Sequence, residues 1–429
     1  MKGIAPTLGW MIVCLALVTS FGLDLENTAQ GGAIDLRNRI TGIRLLADHV
    51  DPYHYKWLEG GPELYFDPYN NPNVPVSKTT ATPALLLLHE PLALLPYRVA
   101  QLCWFIAQWL LLLGTAWLWR RHCATSRQHW LLALFVTGFT YTAAWRLHAE
   151  RGQSYVLLLF LFACWLALTL NEKWGKSFAA GLLAGFLVAL RPPLLLLAPF
   201  LTLHRRGQLS GAIVGLLLGV AMPMIWSTAC WSDYFSAMQT YSHLYRNDID
   251  PRPGYHTYPA TIESVPTLVL AHYVTIPYAD FSIHALLKTL GLEQDWFNGE
   301  AIPGWLPLLV VLAPFAVWLW LTRARRTEEL LPGLVAWFFL IDLFLPAYRD
   351  NYNDVLIINL VALGLIASNR LPWGWWPCVI ALSLGWGVYT LVPEAPWLIN
   401  LPTLFFTLGA ILFLYLPGFF AATNRRKAR

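Results

Sequence analysis

Ionisable side chains interrupt the apolar sequence at a small number of positions, and these residues could do chemistry. A charge placed within lipid costs several kcal/mol unless it is paired, so each one is a candidate for a functional site. Carboxylates and imidazoles can accept protons, and guanidinium groups can bind phosphate or carboxylate. The ionisable candidates are Asp24, Glu26, Asp35, Arg37, His89, Glu90, His148, Arg151, Arg191, Asp342, Arg349 and Asp350. Gln153, an amide next to this set in the sequence, is added to them.

Asp35 is open to two interpretations. It could cap the N-terminus of a helix that begins at residue 36, since Asp is a favoured capping residue, or it could be catalytic. Asp24 and Glu26 lie nearer the first apolar run, where an interfacial acid pair at the end of a helix explains them more simply.

His148, Glu150 and Arg151 fall in a predicted six-residue turn, 148–153, which holds more charge than a turn needs. Arg151 could instead be a simple anchor, since long basic side chains at helix ends commonly reach towards the membrane surface. The turn therefore has both a functional and a structural explanation.

Arg191 stands directly before Pro192 and Pro193, at a break between two apolar runs. A buried guanidinium needs an anion, which could come from another helix or from a ligand phosphate; we favour the phosphate. Structural ion pairing is the alternative for the remaining charges, which are Asp342, Arg349, Asp350, His89 and Glu90.

The composition identifies the class of protein that must position these residues. Of 429 residues, 57% are hydrophobic and only 13% are charged, which excludes a soluble enzyme, a disordered chain and a nucleic-acid-binding chain. The six cysteines show no CxxC or Cys/His spacing, so neither a metal site nor a disulfide framework is predicted. The chain is predicted to be an all-α polytopic membrane protein.

Apolar runs and basic residues together predict about 12 membrane segments. The runs are 4–23, 97–119, 130–147, 155–170, 177–190, 194–203, 209–228, 303–321, 330–347, 353–368, 374–392 and 399–420. Crossing at each run places more than half of the 29 basic residues on one side with only three of the 25 acidic ones. That side is cytoplasmic and holds both termini, and the candidate charges all lie on the other side.

The connections add detail to a single transmembrane domain, 1–429. The first external segment, 24–96, contains an amphipathic stretch, 35–50, expected to lie on the membrane surface with Arg37, Arg39 and Arg44 at headgroup level. It ends with 81–96, a proline-broken run expected to be re-entrant or interfacial. A second large external loop is predicted for 229–302.

Several motifs occur in a recognisable order. An acid after the first helix precedes Asp51-Pro52-Tyr53, then Thr82-Pro83, then 91–96 ahead of an aromatic helix with Trp104. Gly152-Gln153 opens an apolar helix, and Gly181 and Gly185 lead to Leu190-Arg191-Pro192-Pro193 and then His204-Arg205-Arg206. Across residues 24–206 the pattern resembles the membrane glycosyltransferases of the GT-C superfamily, specifically family 87.

The resemblance implies a GT-C-like helical bundle with re-entrant or broken helices and outer-face loops. It implies an inverting transfer of a sugar from a polyprenyl-phosphate donor to a hydroxyl of a glycan or glycolipid acceptor, in the cell inner membrane at the extracytoplasmic side. Asp35 would be the general base, and Arg191, Arg151, Arg349 and His148 would bind the donor phosphate. No cofactor is expected beyond the lipid-linked sugar, and no nucleic-acid partner.

The secondary site candidates are Arg37, Asp24, Glu26, His89, Glu90, Gln153, Asp342 and Asp350. Two other functions stay open. A lipid-linked sugar transporter or flippase would carry internal repeats and midplane charges, which the two halves of this chain do not share. A glycan polymerase would be similar in hydropathy but would use a diphosphate-linked glycan.

Overall fold

The computed structural model describes residues 4–58, 60–67, 74–169, 174–196, 206–246, 305–322, 335, 337 and 351–367. Within these ranges the secondary structure is helical, without a β-strand. The predicted all-helical class is thereby confirmed, while the count of about 12 membrane segments stays a prediction.

Thirteen α-helices are described. The first seven are α1 (Ile4–Gly31), α2 (Ile34–Ala47), α3 (Pro83–Leu87), α4 (Glu90–Ala93), α5 (Tyr97–Arg120), α6 (Ser126–Phe139) and α7 (Ala143–Arg151). The others are α8 (Tyr155–Thr169), α9 (Trp174–Leu190), α10 (Arg206–Ala221), α11 (Cys230–Arg246), α12 (Trp305–Thr322) and α13 (Ile357–Ala367). Short 3-10 turns occupy Glu63–Tyr65, Pro192–Leu196, Pro223–Ile225 and Asn351–Leu356.

Three helices in the described part of the chain are long and apolar enough to cross a membrane. They are Thr7–Gly31, Tyr97–Arg120 and Gly207–Ile225. Helices α7 and α8 also pass the length and hydropathy criteria when taken together, as a pair bent by 110° at its junction, and would add a fourth crossing as one broken span. These helices identify the chain as a multi-pass membrane protein.

The first helix is longer than predicted. It continues to Gly31, so the boundary predicted at residue 23 is wrong, and the first connection begins at Gly32. Its two acids are helical residues: Asp24 is buried, and Glu26 accepts a hydrogen bond from Gln30 one turn later. Asp24 and Glu26 therefore lie within the helix and not at its end.

The run predicted at 130–147 is divided in two. α6 ends at Phe139, and the Thr142 hydroxyl accepts a hydrogen bond from the Trp145 amide at the start of α7. Consequently His148, Glu150 and Arg151 belong to a helix, and the predicted turn at 148–153 is wrong for all but its last residues. The helix stops at Gly152, whose φ of +67° is left-handed.

The segment 81–96 is broken, as predicted, into α3 and α4. Thr82 caps α3 by accepting a hydrogen bond from the Leu85 amide, and Pro83 occupies the first turn, where a missing N–H costs nothing. Helices of five and four residues are far too short to cross a bilayer.

The described chain divides into two compact units, and the candidate residues described below lie in the unit formed by Phe21–Leu113 and Leu147–Thr275. Its core includes Ala33, Leu36 and Ile40 of the α2 region packed on Ala100 and Trp104 of α5. Ten of the 14 residues of α2 are buried, on all sides of the helix, so α2 packs within the protein. Its position at the membrane surface stays a prediction.

Helices α9 and α10 of the same unit meet at backbone contact. A Cβ atom added to Gly185 would lie 1.9 Å from the Ala212 carbonyl oxygen, and one added to Gly215 would lie 1.9 Å from that of Leu182. Small residues allow membrane helices to approach this closely. The pair fixes the C-terminus of α9, and with it Arg191.

The other unit contains Met1–Ser20, Gly114–Arg146 and Ile276–Arg429. Trp10 stacks on Trp130 with ring centroids 4.3 Å apart. The buried Trp119 indole donates to the Asn359 side chain over 2.7 Å. The last two predicted membrane runs, 374–392 and 399–420, lie outside the described part of the chain.

Candidate active site

Asp35 lies in the first turn of α2, and its carboxylate is held by residues from the α7–α8 junction. The Gln153 side-chain nitrogen donates to Asp35 Oδ2 over 2.6 Å. Arg151 Nη1 lies 3.7 Å from the same oxygen, and both side chains are largely buried. The structure therefore brings together three residues that the sequence identified separately.

Asp35 is not a helix cap. The N-cap position of α2 is occupied by Ala33, which has a left-handed φ of 49°, and no side chain caps the amides there. The capping interpretation is wrong because Gly32 and Ala33 turn the chain before residue 35, which places the Asp35 carboxylate against Gln153.

The two carboxylate oxygens of Asp35 differ in their hydrogen bonding. Oδ1 accepts no hydrogen bond from any residue that the structure describes, whereas Oδ2 is occupied by Gln153. A carboxylate anchored by one oxygen keeps a fixed orientation and can accept a proton on the other. The Asp35 side chain remains 16% exposed, so this oxygen can be reached.

Gly152 makes this arrangement possible. A Cβ atom on it would lie 2.8 Å from the Leu36 Cβ and 3.1 Å from the Ala33 Cβ. Its left-handed φ also excludes most side chains. Glycine is thus required for the α7–α8 junction to touch the first turn of α2.

Arg39 lies one turn after Asp35 on α2 and is 9% exposed. Its guanidinium donates to the Gly152 carbonyl over 3.0 Å and to Gln153 Oε1 over 2.5 Å. The Trp104 indole donates to the same carbonyl over 2.9 Å. Arg39 is therefore bound by polar groups of the protein, and its position at headgroup level stays a prediction.

The two other arginines of α2 have different surroundings. Arg37 lies over the Tyr97 ring, 4.2 Å from its centroid, and the Tyr97 hydroxyl donates to the carbonyls of Gly32 and Ala33. Arg44 donates to the carbonyls of Ala93, Leu64 and Leu95, which tie α2 to neighbouring connections. Desolvation lowers the pKa of Arg44 from its usual value.

Arg191 is half-buried at the C-terminal end of α9, with its guanidinium 5.2 Å from the centroid of the Tyr155 ring. Tyr155 opens α8, two residues after Gln153. The structure thus gives Arg191 a place close to the start of α8, while its predicted role towards a phosphate stays a prediction.

His148 and His89 are both fully buried. His148 Nε2 accepts a hydrogen bond from the Val156 amide over 3.1 Å, which joins α7 to α8. His89 pairs its Nδ1 with the Leu85 carbonyl over 2.8 Å, and its ring lies beside Trp104. Glu90, the first residue of α4, is half-buried.

Asp342, Arg349 and Asp350 lie outside the described residues. The structure therefore says nothing about the predicted site residues of the late turn. Among the residues that it does describe, no group of three or more His, Cys, Asp or Glu side chains is placed to hold a metal ion.

Sequence reasoning missed a second buried carboxylate near α2. Asp67 is 5% exposed, and its oxygens face the side-chain amide of Asn38, which lies one turn after Asp35. Burial lowers the pKa of the nearby Lys56 to about 8, and the Asp67 charge opposes part of that shift. Nothing in the local sequence separates Asp67 from the other loop acids.

The Asp51-Pro52-Tyr53 motif has a structural role. Asp51 accepts hydrogen bonds from the Tyr53 amide over 2.8 Å and pairs with His54 over 2.7 Å. The buried Tyr53 hydroxyl donates to the Ala81 carbonyl over 3.0 Å. The motif therefore anchors the connection that follows α2.

Taken together, the described unit presents a buried carboxylate and guanidinium groups on a membrane-helix scaffold. The model of a known family, Glycosyltransferase family 87, matches residues 80–346, which is more than half of the chain. The chain belongs to glycosyltransferase family 87. A comparison with curated proteins finds no match.

The matched range contains Arg151, Gln153 and Arg191 but begins after α2. The family assignment and the position of Asp35 are therefore independent observations. It is the contact between Gln153 and Asp35 that connects them.

Proposed function

We propose that this protein is an inverting glycosyltransferase that moves a sugar from a polyprenyl-phosphate donor to a hydroxyl of a glycan or glycolipid acceptor. Asp35 is the general base in this proposal. The observation that carries it is the anchored carboxylate: Oδ2 is fixed by Gln153 beside Arg151, and Oδ1 is open among the described residues.

The reaction needs a base beside the acceptor hydroxyl and a cation beside the phosphate of the donor. The acceptor hydroxyl attacks the anomeric carbon while its proton passes to Asp35 Oδ1. The bond from that carbon to the phosphate oxygen breaks, and the polyprenyl phosphate leaves with the electron pair. Attack opposite to the leaving group inverts the anomeric configuration.

Guanidinium groups are suited to the leaving phosphate, because their planar donors match phosphate oxygens in pairs. Arg151 and Arg191 are the described candidates, and Arg349 is a candidate outside the described residues. His148, which the sequence also suggested, is fully buried with its Nε2 bound by the Val156 amide and is not part of the proposal. Stabilising charge that develops in the transition state is commonly the largest contribution to catalysis. No metal or other cofactor is part of the proposal.

The proposed location is the extracytoplasmic side of the inner membrane. Basic residues concentrate in the short segments that the sequence assigns to the cytoplasm, together with both termini. A lipid-borne donor also suits a site that has no access to nucleotide sugars.

The donor class is tested with purified protein in lipid nanodiscs. The protein is supplied in parallel with a panel of sugars on polyprenyl monophosphate, the same sugars on polyprenyl diphosphate, and the corresponding nucleotide sugars, together with a mixture of glycan and glycolipid acceptors. We expect polyprenyl phosphate release and sugar transfer with the monophosphate donors alone, and NMR of the product should show an inverted anomeric centre. Turnover of nucleotide or diphosphate donors, or retention of configuration, would overturn the proposal.

A further inference from the structure

We propose that Arg39 is a positioning residue, which sets the orientation of the Gln153 amide and, through it, the orientation of the Asp35 carboxylate. The inference rests on the proposed function of Asp35 as the base. It concerns a residue that does not touch Asp35 in the contacts described above but binds the group that does.

The amide of Gln153 has two ends of opposite character. Its Oε1 can only accept hydrogen bonds and its Nε2 can only donate them. Oε1 accepts from Arg39 over 2.5 Å, and Nε2 donates to Asp35 over 2.6 Å. The amide therefore lies between a cation and an anion, with each end facing its complement.

Arg39 selects this orientation because a guanidinium can donate but cannot accept. If the amide turned over, Nε2 would face the guanidinium and Oε1 would face the carboxylate, so both contacts would become repulsive. Gln153 is 3% exposed, so little water is available to compensate the wrong orientation. Reversal is therefore costly as long as Arg39 is present.

Arg39 is itself held in place. Its second nitrogen donates to the Gly152 carbonyl, which also accepts from Trp104. Asp35 and Arg39 are four residues apart and share one face of α2, where side chains at that spacing are neighbours. One rigid helix thus contacts both ends of the Gln153 amide.

Replacing Arg39 by Met should release the Gln153 amide. In a fraction of molecules Oε1 then faces Asp35, which disfavours the ionised carboxylate and turns Oδ1 away from the acceptor. We expect kcat to fall by about 100-fold, as a misplacement of about 1 Å can cause, with little change in the KM for the donor. The decline of kcat/KM towards low pH should move to higher pH.

The Arg39→Lys variant keeps the positive charge and a donor but loses the planar fork. We expect it to recover part of the activity. A direct Coulomb effect of Arg39 on Asp35 would also move the pH profile. The comparison of the Met and Lys variants therefore does not separate an effect through Gln153 from an effect through space. A double-mutant cycle with Gln153→Met does.

If Arg39 acts through Gln153, adding Arg39→Met to Gln153→Met should lower kcat/KM by no more than about twofold further, because the group that Arg39 orients is already gone. If the two losses multiply, Arg39 acts independently of Gln153 and the inference is overturned. Rates are compared only among variants that elute as a single monodisperse peak in size-exclusion chromatography.

An infrared pH titration separates this inference from the proposed function. The protonated carboxyl stretch of Asp35, assigned by subtracting the Asp35→Asn spectrum, reports its protonation without any turnover. Its midpoint should rise in Arg39→Met by clearly more than Arg39→Met raises it in the Gln153→Met background, where only the direct effect of the Arg39 charge remains. A midpoint that is unchanged in Arg39→Met would overturn the inference even in an active enzyme. An inactive wild type with the expected midpoints would overturn only the function.

Discussion

Gln153 donates a hydrogen bond to Asp35 over 2.6 Å, although the two residues are 118 positions apart in the sequence. Asp35 belongs to the first turn of α2, and Gln153 follows the end of α7. The bond exists because Gly152 turns the chain between α7 and α8 and lies directly on α2. It joins a carboxylate outside the family-matched range to residues inside it.

Arg151 is expected to contribute to catalysis beside Asp35. Replacing it with Ala should lower kcat/KM by about 100-fold, since a cation that stabilises transition-state charge is worth at least that much. The measurement is the initial rate of transfer at low donor concentration. Arg146→Ala, on the same helix but with its guanidinium over the Tyr141 ring, is the matched control and should stay near wild type. Equal losses in both variants would contradict a specific role for Arg151.

Gly152 should not tolerate a side chain. In Gly152→Ala the new Cβ meets Leu36 at 2.8 Å, and the left-handed φ adds strain. We expect a loss of about 1–3 kcal/mol in stability together with most of the activity. Thermal unfolding in detergent measures the first effect and the transfer assay measures the second.

The control for this variant is Gly138→Ala in α6, where a Cβ meets nothing within 4 Å. That change should be neutral or slightly stabilising, since Ala favours helix over Gly. A Gly152→Ala protein as stable and active as wild type would show that the α7–α8 junction does not depend on glycine.

Sequence reasoning recovered most of the members of this site but not their arrangement. Asp35, Arg151 and Gln153 were recognisable because charged or polar residues are costly beside apolar runs. Helices α5, α8 and α9 also lie close to the predicted runs, because an apolar stretch of that length is too long for a buried strand and favours a helix.

The role of Arg39 was missed for a physical reason. An arginine on an amphipathic helix is compatible with a lipid surface, and only tertiary structure reveals that its partners come from residues 152 and 153. The length of α1 was underestimated in the same way, because a buried Asp24 within a helix has the same local sequence as an acid at its end. Local pattern does not report a partner distant in the chain.

The contact between α9 and α10 should be sensitive to any added atom. Gly185→Val would place side-chain carbons where the Ala212 carbonyl lies, 1.9 Å from the ideal Cβ position. We expect the helices to separate, with strongly reduced accumulation in membranes and a lower unfolding temperature. Gly22→Ala in α1, where a Cβ meets nothing within 4 Å, should accumulate normally. Normal accumulation of Gly185→Val would contradict the close approach.

Lys56 should make stability depend on alkaline pH. Burial lowers its folded-state pKa to about 8, below the value of 10.5 expected when unfolded. Below pH 8 both states are protonated and the cost of burying the charge is fully present. Between these two values the folded state loses its proton first, so the contribution of Lys56 to stability rises with pH.

This prediction is checked by measuring the unfolding temperature of wild type and Lys56→Met at several values between pH 7 and pH 10. The difference, wild type minus variant, should increase with pH over that window. A difference that is flat or decreases would show that Lys56 is not desolvated in the folded protein.

The central claim is that Asp35 takes the proton of the acceptor hydroxyl, and the most direct measurement is the kcat of Asp35→Asn in nanodiscs with a saturating polyprenyl-phosphate sugar. Asparagine keeps the size of the side chain but is not a base, so we predict a loss of about 100-fold or more, with donor binding retained. Glu63→Gln, which removes an exposed acid from the following connection, should retain full activity. An Asp35→Asn enzyme that works within about threefold of wild type, far less than a general base contributes, would contradict the account.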